Sequence, residues 1–103
     1  MRKTNLLYEE KDSREIHLIY SFDNKYGASV IKNSVSMGHE QNLWELALLV
    51  FDRGVYVVIE DESLFEIVTE EKPTADSVLG YLTEEQVDEI LNKIENYKEP
   101  IWN

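Results

Sequence analysis

Cysteine is absent from the 103 residues, and with it go disulfides, thiolate nucleophiles and every cysteine-based metal site. A secreted domain of this size usually needs such staples, so a cytosolic setting is expected. Proline occurs twice and glycine four times, at Gly27, Gly38, Gly54 and Gly80. The glycines are too scattered to cradle a phosphate, and each reads as a turn or bulge. The two histidines, His17 and His39, would need further ligands at a motif spacing to form a metal or acid–base centre. No such spacing is present, and both read as ordinary surface residues. No apolar run approaches the roughly 18–20 residues of a membrane span. The longest, Leu46–Phe51, is bounded by Glu45 and Asp52. Behind the basic start Met1-Arg2-Lys3 only Leu6-Leu7-Tyr8 follows, which is far short of a signal-peptide core.

Bases are scarce in one part of the chain. The net charge is −11. Residues 1–59 hold eight acids and seven bases, whereas residues 60–103 hold thirteen acids against Lys72, Lys93 and Lys98. Almost all of the imbalance therefore follows Ile59. Such a field repels nucleic acid and anionic membrane and attracts basic surfaces, so neither direct DNA or RNA binding nor membrane binding is expected.

What is present suffices for one domain spanning residues 1–103. The hydrophobic fraction is 43% with 11% aromatics, too apolar for a disordered acidic tail. Residues 1–13 show no periodicity and read as a loose arm. Residues 14–22 alternate, with Ile16, Leu18, Tyr20 and Phe22 on one face, as a half-buried strand does. Asp23-Asn24-Lys25 is turn chemistry, and Tyr26–Lys32 is the hairpin partner. A polar loop over 33–42 leads to the apolar Leu43–Phe51, which suits a central strand covered on both faces. The pattern of that run does not exclude a buried helix. Asp52-Arg53-Gly54 turns the chain into a further strand, Val55–Glu60. A second turn at Asp61-Glu62-Ser63 gives Leu64–Glu70, read as a strand in which Phe65, Ile67 and Thr69 alternate with Glu66 and Val68. A short helical turn is expected over Asp76–Leu82. Thr83 with Gln86 forms a capping box, and Val87, Ile90, Leu91, Ile94 and Tyr97 recur at helical spacing. The fold class is α+β, an antiparallel sheet of four or five strands with a C-terminal amphipathic helix packed on one face.

No constellation in the chain reads as an enzyme active site, and no cofactor is implied. Glu60-Asp61-Glu62 lack the order of a calcium loop and read as a hairpin tip. Asp61 with Glu70-Glu71-Lys72 vaguely resembles the acid…acid-x-Lys arrangement of metal-dependent nucleases, but the phosphate-holding bases such an enzyme needs are missing here. The serines Ser21, Ser29, Ser34 and Ser36 lack a nucleophile-elbow motif. Trp44 reads as core, while Trp102 either folds back or stays exposed. The remaining candidate is a protein-binding surface made of acids: Glu60, Asp61 and Glu62, then Glu66, Glu70 and Glu71, then Glu85, Asp88, Glu95 and Glu99 on the polar side of the last helix. Carboxylates on a rigid small domain can imitate a phosphate backbone and occupy a nucleic-acid-binding groove.

Three segments, Tyr26-Gly27-Ala28-Ser29-Val30-Ile31, Leu43-Trp44-Glu45-Leu46-Ala47-Leu48-Leu49 and Asp76–Val87, occur in an order that resembles a family of small, mostly uncharacterised proteins of tailed bacteriophages. Ser36-Met37-Gly38 stands where such sequences tend to have Ser-Tyr-Gly. The resemblance covers about residues 22–95, and the stretch from Val50 to Lys72 is longer and more acidic than the hairpin usual there. The resemblance supplies no catalytic residues. It implies a setting, the cytoplasm of a host cell, and a mode of action: a non-enzymatic inhibitor of a host defence or nucleic-acid-handling protein, of the anti-CRISPR or DNA-mimic type. The expected partner is a host protein with a basic surface. The alternative is an assembly module, a homodimer joined through edge strands, whose acidity serves only solubility.

Overall fold

Period-two alternation builds most of the sheet. The computed structural model describes residues 1–12, 15–33, 36 and 41–98. It places strands β1 (Leu6–Lys11), β2 (Ile16–Ser21), β3 (Tyr26–Lys32), β4 (Trp44–Asp52) and β5 (Val55–Val58), then helix α1 (Glu62–Thr69), strand β6 (Val78–Leu82) and helix α2 (Glu84–Asn96). The fold is α+β with every strand pairing antiparallel, in the order β1-β2-β3-β4-β5. The nine-residue β4 pairs with β3 and also with two short strands, β5 along Leu49–Asp52 and β6 along Trp44–Ala47.

Register carries one apolar face across the sheet. Leu18 stands beside Val30 and Val30 beside Leu46, while Tyr20 stands beside Ala28 and Ala28 beside Leu48. Against this face pack Val87, Ile90, Leu91 and Ile94 of α2 and Phe65 and Val68 of α1, forming one buried core. Each such side chain contributes about 1.5–3 kcal/mol by leaving water. The stripe expected on α2 is the stripe that is buried, and the helix lies on the sheet as expected.

Four expectations are corrected. The sheet has six strands rather than four or five. Residues 6–11 are not a loose arm but β1, an edge strand whose charged Glu9, Glu10 and Lys11 hide it from a periodicity search. A register shift between Leu6 and Tyr8 further breaks its alternation. Leu64–Glu70 is helical, because Asp61 caps it and Leu64, Phe65, Val68 and Thr69 turn inward at helical spacing while Ile67 is 59% exposed. Asp76–Leu82 is no helical turn: Asp76 and Ser77 both take left-handed φ (46° and 66°), make a tight turn, and send Val78–Leu82 back along β4. In addition, β4 is covered by helices on one face only, with Glu45 and Ala47 half-buried and Phe51 exposed on the other.

The turn read at Asp61-Glu62-Ser63 is instead the start of α1, whereas the turns at 23–25 and 52–54 form as read. In the β4–β5 hairpin Arg53 (φ 51°) and Gly54 (φ 86°) supply the two left-handed residues that a two-residue turn needs. Gly27 is fixed by a different demand, since a Cβ there would meet the Tyr20 carbonyl oxygen at 2.3 Å. Trp44 is core, as expected, with the Lys32 ammonium 4.6 Å above its ring. Trp102, His39 and Glu99 lie outside the described residues. No helix among the described residues is long and apolar enough to cross a membrane.

Candidate functional site

The acids separate into groups according to the element that holds each one. Glu60, Asp61 and Glu62 are not a hairpin tip but the junction between β5 and α1. Asp61 has a structural task there: its carboxylate accepts from the Leu64 backbone N–H at 3.0 Å, capping the helix. The Glu60 carbonyl oxygen accepts from the Ser77 hydroxyl at 3.3 Å.

From this junction α1 runs with Glu62, Glu66 and, at its end, Glu70 spaced by four residues. That spacing sets successive carboxylates about 6 Å apart along the axis and on one side. All three are exposed, and so is Glu71. None of the ion pairs among the described residues involves an acid between Glu60 and Asp76. Among the described residues, the row is therefore a line of negative charge with no cation paired to it. Glu70 also ends the helix in a left-handed conformation (φ 60°), with its backbone N–H bonded to the Glu66 carbonyl.

The acids of α2 divide differently. Thr83 and Gln86 form the reciprocal capping box that the sequence showed, and Glu84 and Glu85 sit at the positive helix N-terminus. Glu85 and Glu89 are exposed. Asp88 and Glu95, by contrast, are held by the N-terminal segment. The Arg2 backbone N–H donates to Asp88 at 3.0 Å, and the Arg2 guanidinium lies 3.1 Å from Glu95 and donates to Asn92 at 2.9 Å. The same guanidinium covers the Phe22 ring at 5.4 Å, and the Tyr20 hydroxyl donates to the Arg2 carbonyl at 2.7 Å. Burial, and behind it the negative charge of Asp88, push the Tyr20 phenol up to about 12, while Arg2 acts in the opposite sense. Sequence reasoning missed Arg2 because its partners lie some ninety residues away. It also missed Asn24, whose amide donates to the carbonyls of Ile94 (2.7 Å) and Tyr97 (3.0 Å) and so closes the C-terminus of α2.

The two helices lie side by side on one face of the sheet, yet their acids do not merge everywhere. Glu70 shares the groove between their C-terminal ends with Lys93 and Lys98, which interrupt the negative field there. The nuclease-like grouping does not assemble, because Asp61 and Glu70 stand at opposite ends of α1, about 12 Å apart for eight helical residues. Among the described residues no three His, Asp or Glu side chains gather as metal ligands. On the opposite face of the sheet, His17 Nε2 lies 2.9 Å from the Ser29 hydroxyl, with the Tyr8 ring edge-on to the imidazole at 5.9 Å. That cross-strand hydrogen bond satisfies two half-buried polar groups. No family model, curated protein or solved structure matches the chain.

Proposed function

We propose that the chain is a phage-type, non-enzymatic binding protein whose acidic helix side occupies a basic, nucleic-acid-handling surface of a host defence protein. The observation that carries this reading is the exposed row Glu62, Glu66 and Glu70, a regularly spaced line of carboxylates that enter no ion pair among the described residues. Glu60 and Glu71, both exposed, flank the row along the chain. The packed helix fixes the backbone of these residues, so binding orders only their side chains, at about 0.5–1.5 kcal/mol each. Asp88 and Glu95 play another part: Asp88 holds the Arg2 backbone and Glu95, with Asn92, holds its guanidinium, so both anchor the N-terminal segment to α2. The bacteriophage resemblance supplies the host setting, and the excess of acids over bases after Ile59 supplies the preference for basic partners.

The test is capture from a bacterial lysate with the wild-type chain and with the triple variant Glu62→Lys, Glu66→Lys, Glu70→Lys. The wild type is expected to retain a nucleic-acid-handling protein at about 50 mM salt and to release it near 500 mM, where charges a few ångströms apart are screened. The variant is expected to retain none. Equal capture by both chains, or capture indifferent to salt, argues against an electrostatic mode. Asp88 and Glu95 are poor choices for reversal, since changing them detaches the N-terminal segment as well.

A further inference from the structure

The two edges of the sheet are built differently. On one side β1 carries Glu9, Glu10 and Lys11 and a register shift between Leu6 and Tyr8, devices that keep other strands from pairing with an edge. On the other side β5 has none of these. Its sequence is Val55-Tyr56-Val57-Val58, and Val55, Val57 and Val58 are 60%, 45% and 46% exposed. Among the described residues β5 pairs with β4 alone. Hydrogen bonding fixes which of its backbone groups turn outward. The Ile59 N–H donates to the Leu48 carbonyl at 2.9 Å, and on β4 the Phe51 N–H turns the other way, to the Lys25 carbonyl at 2.8 Å. By the alternation of an antiparallel pair, Val55 and Val57 bond to Asp52 and Val50, while Tyr56 and Val58 turn their N–H and C=O groups away from the sheet. The result is a short, regular row of backbone donors and acceptors beside branched side chains. The rings of Phe51 and Tyr56, 5.2 Å apart, brace it from one face.

We propose that β5 is a docking edge, on which a basic, extended segment of a partner protein adds as a further antiparallel strand. In such an addition backbone hydrogen bonds supply the affinity, and side chains along the edge select the sequence. Charge names the occupant here. Glu60 and Glu62 follow β5 directly, and Asp76 stands beside them. It shares a groove with Glu62, and its neighbour Ser77 donates to the Glu60 carbonyl at 3.3 Å. All three acids are exposed, and none enters an ion pair among the described residues. At the other end of β5, Arg53 and Asp52 balance one another. Antiparallel addition sets the N-terminal end of the incoming strand beside Glu60, so the segment that fits has bases first and β-branched residues after them. A second copy fits less well, because two chains of net charge −11 repel and each would bring the same acids to the contact. Four residues of strand and a few side chains put the affinity in the micromolar range of transient contacts. This goes beyond the acid row of α1 and does not rest on it, because the contact is made through the backbone of β5.

The test is titration of the full chain with a short, fluorescently labelled peptide that begins with lysines and arginines and continues in alternating valine and threonine. It is expected to bind with a micromolar Kd and to slow the solvent exchange of the Tyr56 and Val58 amides, read residue by residue by NMR. The same peptide N-methylated on alternate residues, which removes its backbone donors, should bind at least about tenfold more weakly. Moving the bases to the C-terminal end of the peptide, or Glu60→Lys in the chain, should weaken binding several-fold at low salt. Val58→Pro, verified as folded by circular dichroism, spares the pairing with β4 and should abolish binding. Unchanged exchange at Tyr56 and Val58, equal binding of the N-methylated peptide, or indifference to where the bases lie overturns the inference. So does slowing of the same amides as protein concentration rises without peptide, which would make a second copy the occupant.

Discussion

Tyr20 and Tyr26 sit in neighbouring strands, both buried, and their hydroxyls meet different fates. Tyr20 donates to the Arg2 carbonyl at 2.7 Å and so ties the N-terminal segment over the core. The hydroxyl of Tyr26 has no hydrogen-bond partner among the described residues, and its ring stands edge-on to Tyr97 at 5.7 Å. An unpaired buried hydroxyl costs on the order of 1–3 kcal/mol, whereas a made hydrogen bond contributes about 1 kcal/mol. Tyr20→Phe is therefore expected to destabilise the chain by about 1 kcal/mol, and Tyr26→Phe to leave it unchanged or more stable, both read from urea unfolding midpoints. The same tyrosines set the alkaline limit of the fold. In the unfolded chain the Tyr20 phenol ionises at its ordinary value of 10.0, but in the folded chain burial and Asp88 hold it protonated up to about 12. The unfolded state loses its proton first, so stability present below pH 10 falls as pH rises from 10 to 12. Burial raises Tyr26 in the same direction. A pH series of thermal melts should show this decline, flattened but not abolished in Tyr20→Phe.

At the scale of elements, α1 shows where structure and binding charge separate. Asp61 serves as its cap, so Asp61→Ala should cost about 1 kcal/mol. Glu70 ends the helix with φ 60°, a conformation that favours glycine, so Glu70→Gly should add a few tenths to about 1 kcal/mol while removing one acid of the row. Chemical denaturation measures both, and the pair keeps stability and charge from being confused in binding assays. The same helix explains the limits of sequence reading. Leu64–Thr69 satisfies period two through Phe65, Ile67 and Thr69, and satisfies helical spacing through Leu64, Phe65, Val68 and Thr69. The second pattern won because Asp61 supplies a cap and solvent accepts Ile67. Strand β6 was hidden because its turn uses Asp76 and Ser77 in left-handed conformations without a glycine, and Tyr81 (φ 59°) bends the strand in mid-course. By contrast, the start and the inward stripe of α2 were legible through Ile94, since its cap, its dipole-favoured acids and its apolar spacing all agree, while Tyr97, read as the next member of the stripe, is the extended cap that follows the helix. So were β2 and β3, whose alternation and turn chemistry point the same way. Of the candidate surface, the identity of the acids was legible, but the backbone hydrogen bond of Arg2 to Asp88 and the ion pair of its guanidinium with Glu95 were not. That contact depends on a chain reversal that periodicity does not encode.

The whole molecule has two unlike sides. The helix side presents acids around α1, and the opposite side mixes Tyr8 and Phe51 with Glu10 and the His17–Ser29 hydrogen bond. The account's central claim concerns the helix side, and competition with DNA tests it most directly. Basic nucleic-acid-binding proteins from a bacterial lysate are retained on immobilised double-stranded DNA at low salt, and the chain is then added. The account predicts that the wild-type chain releases a specific retained protein and that the Glu62→Lys, Glu66→Lys, Glu70→Lys variant does not. Release of nothing beyond a buffer wash, or equal release by the two chains, would contradict it.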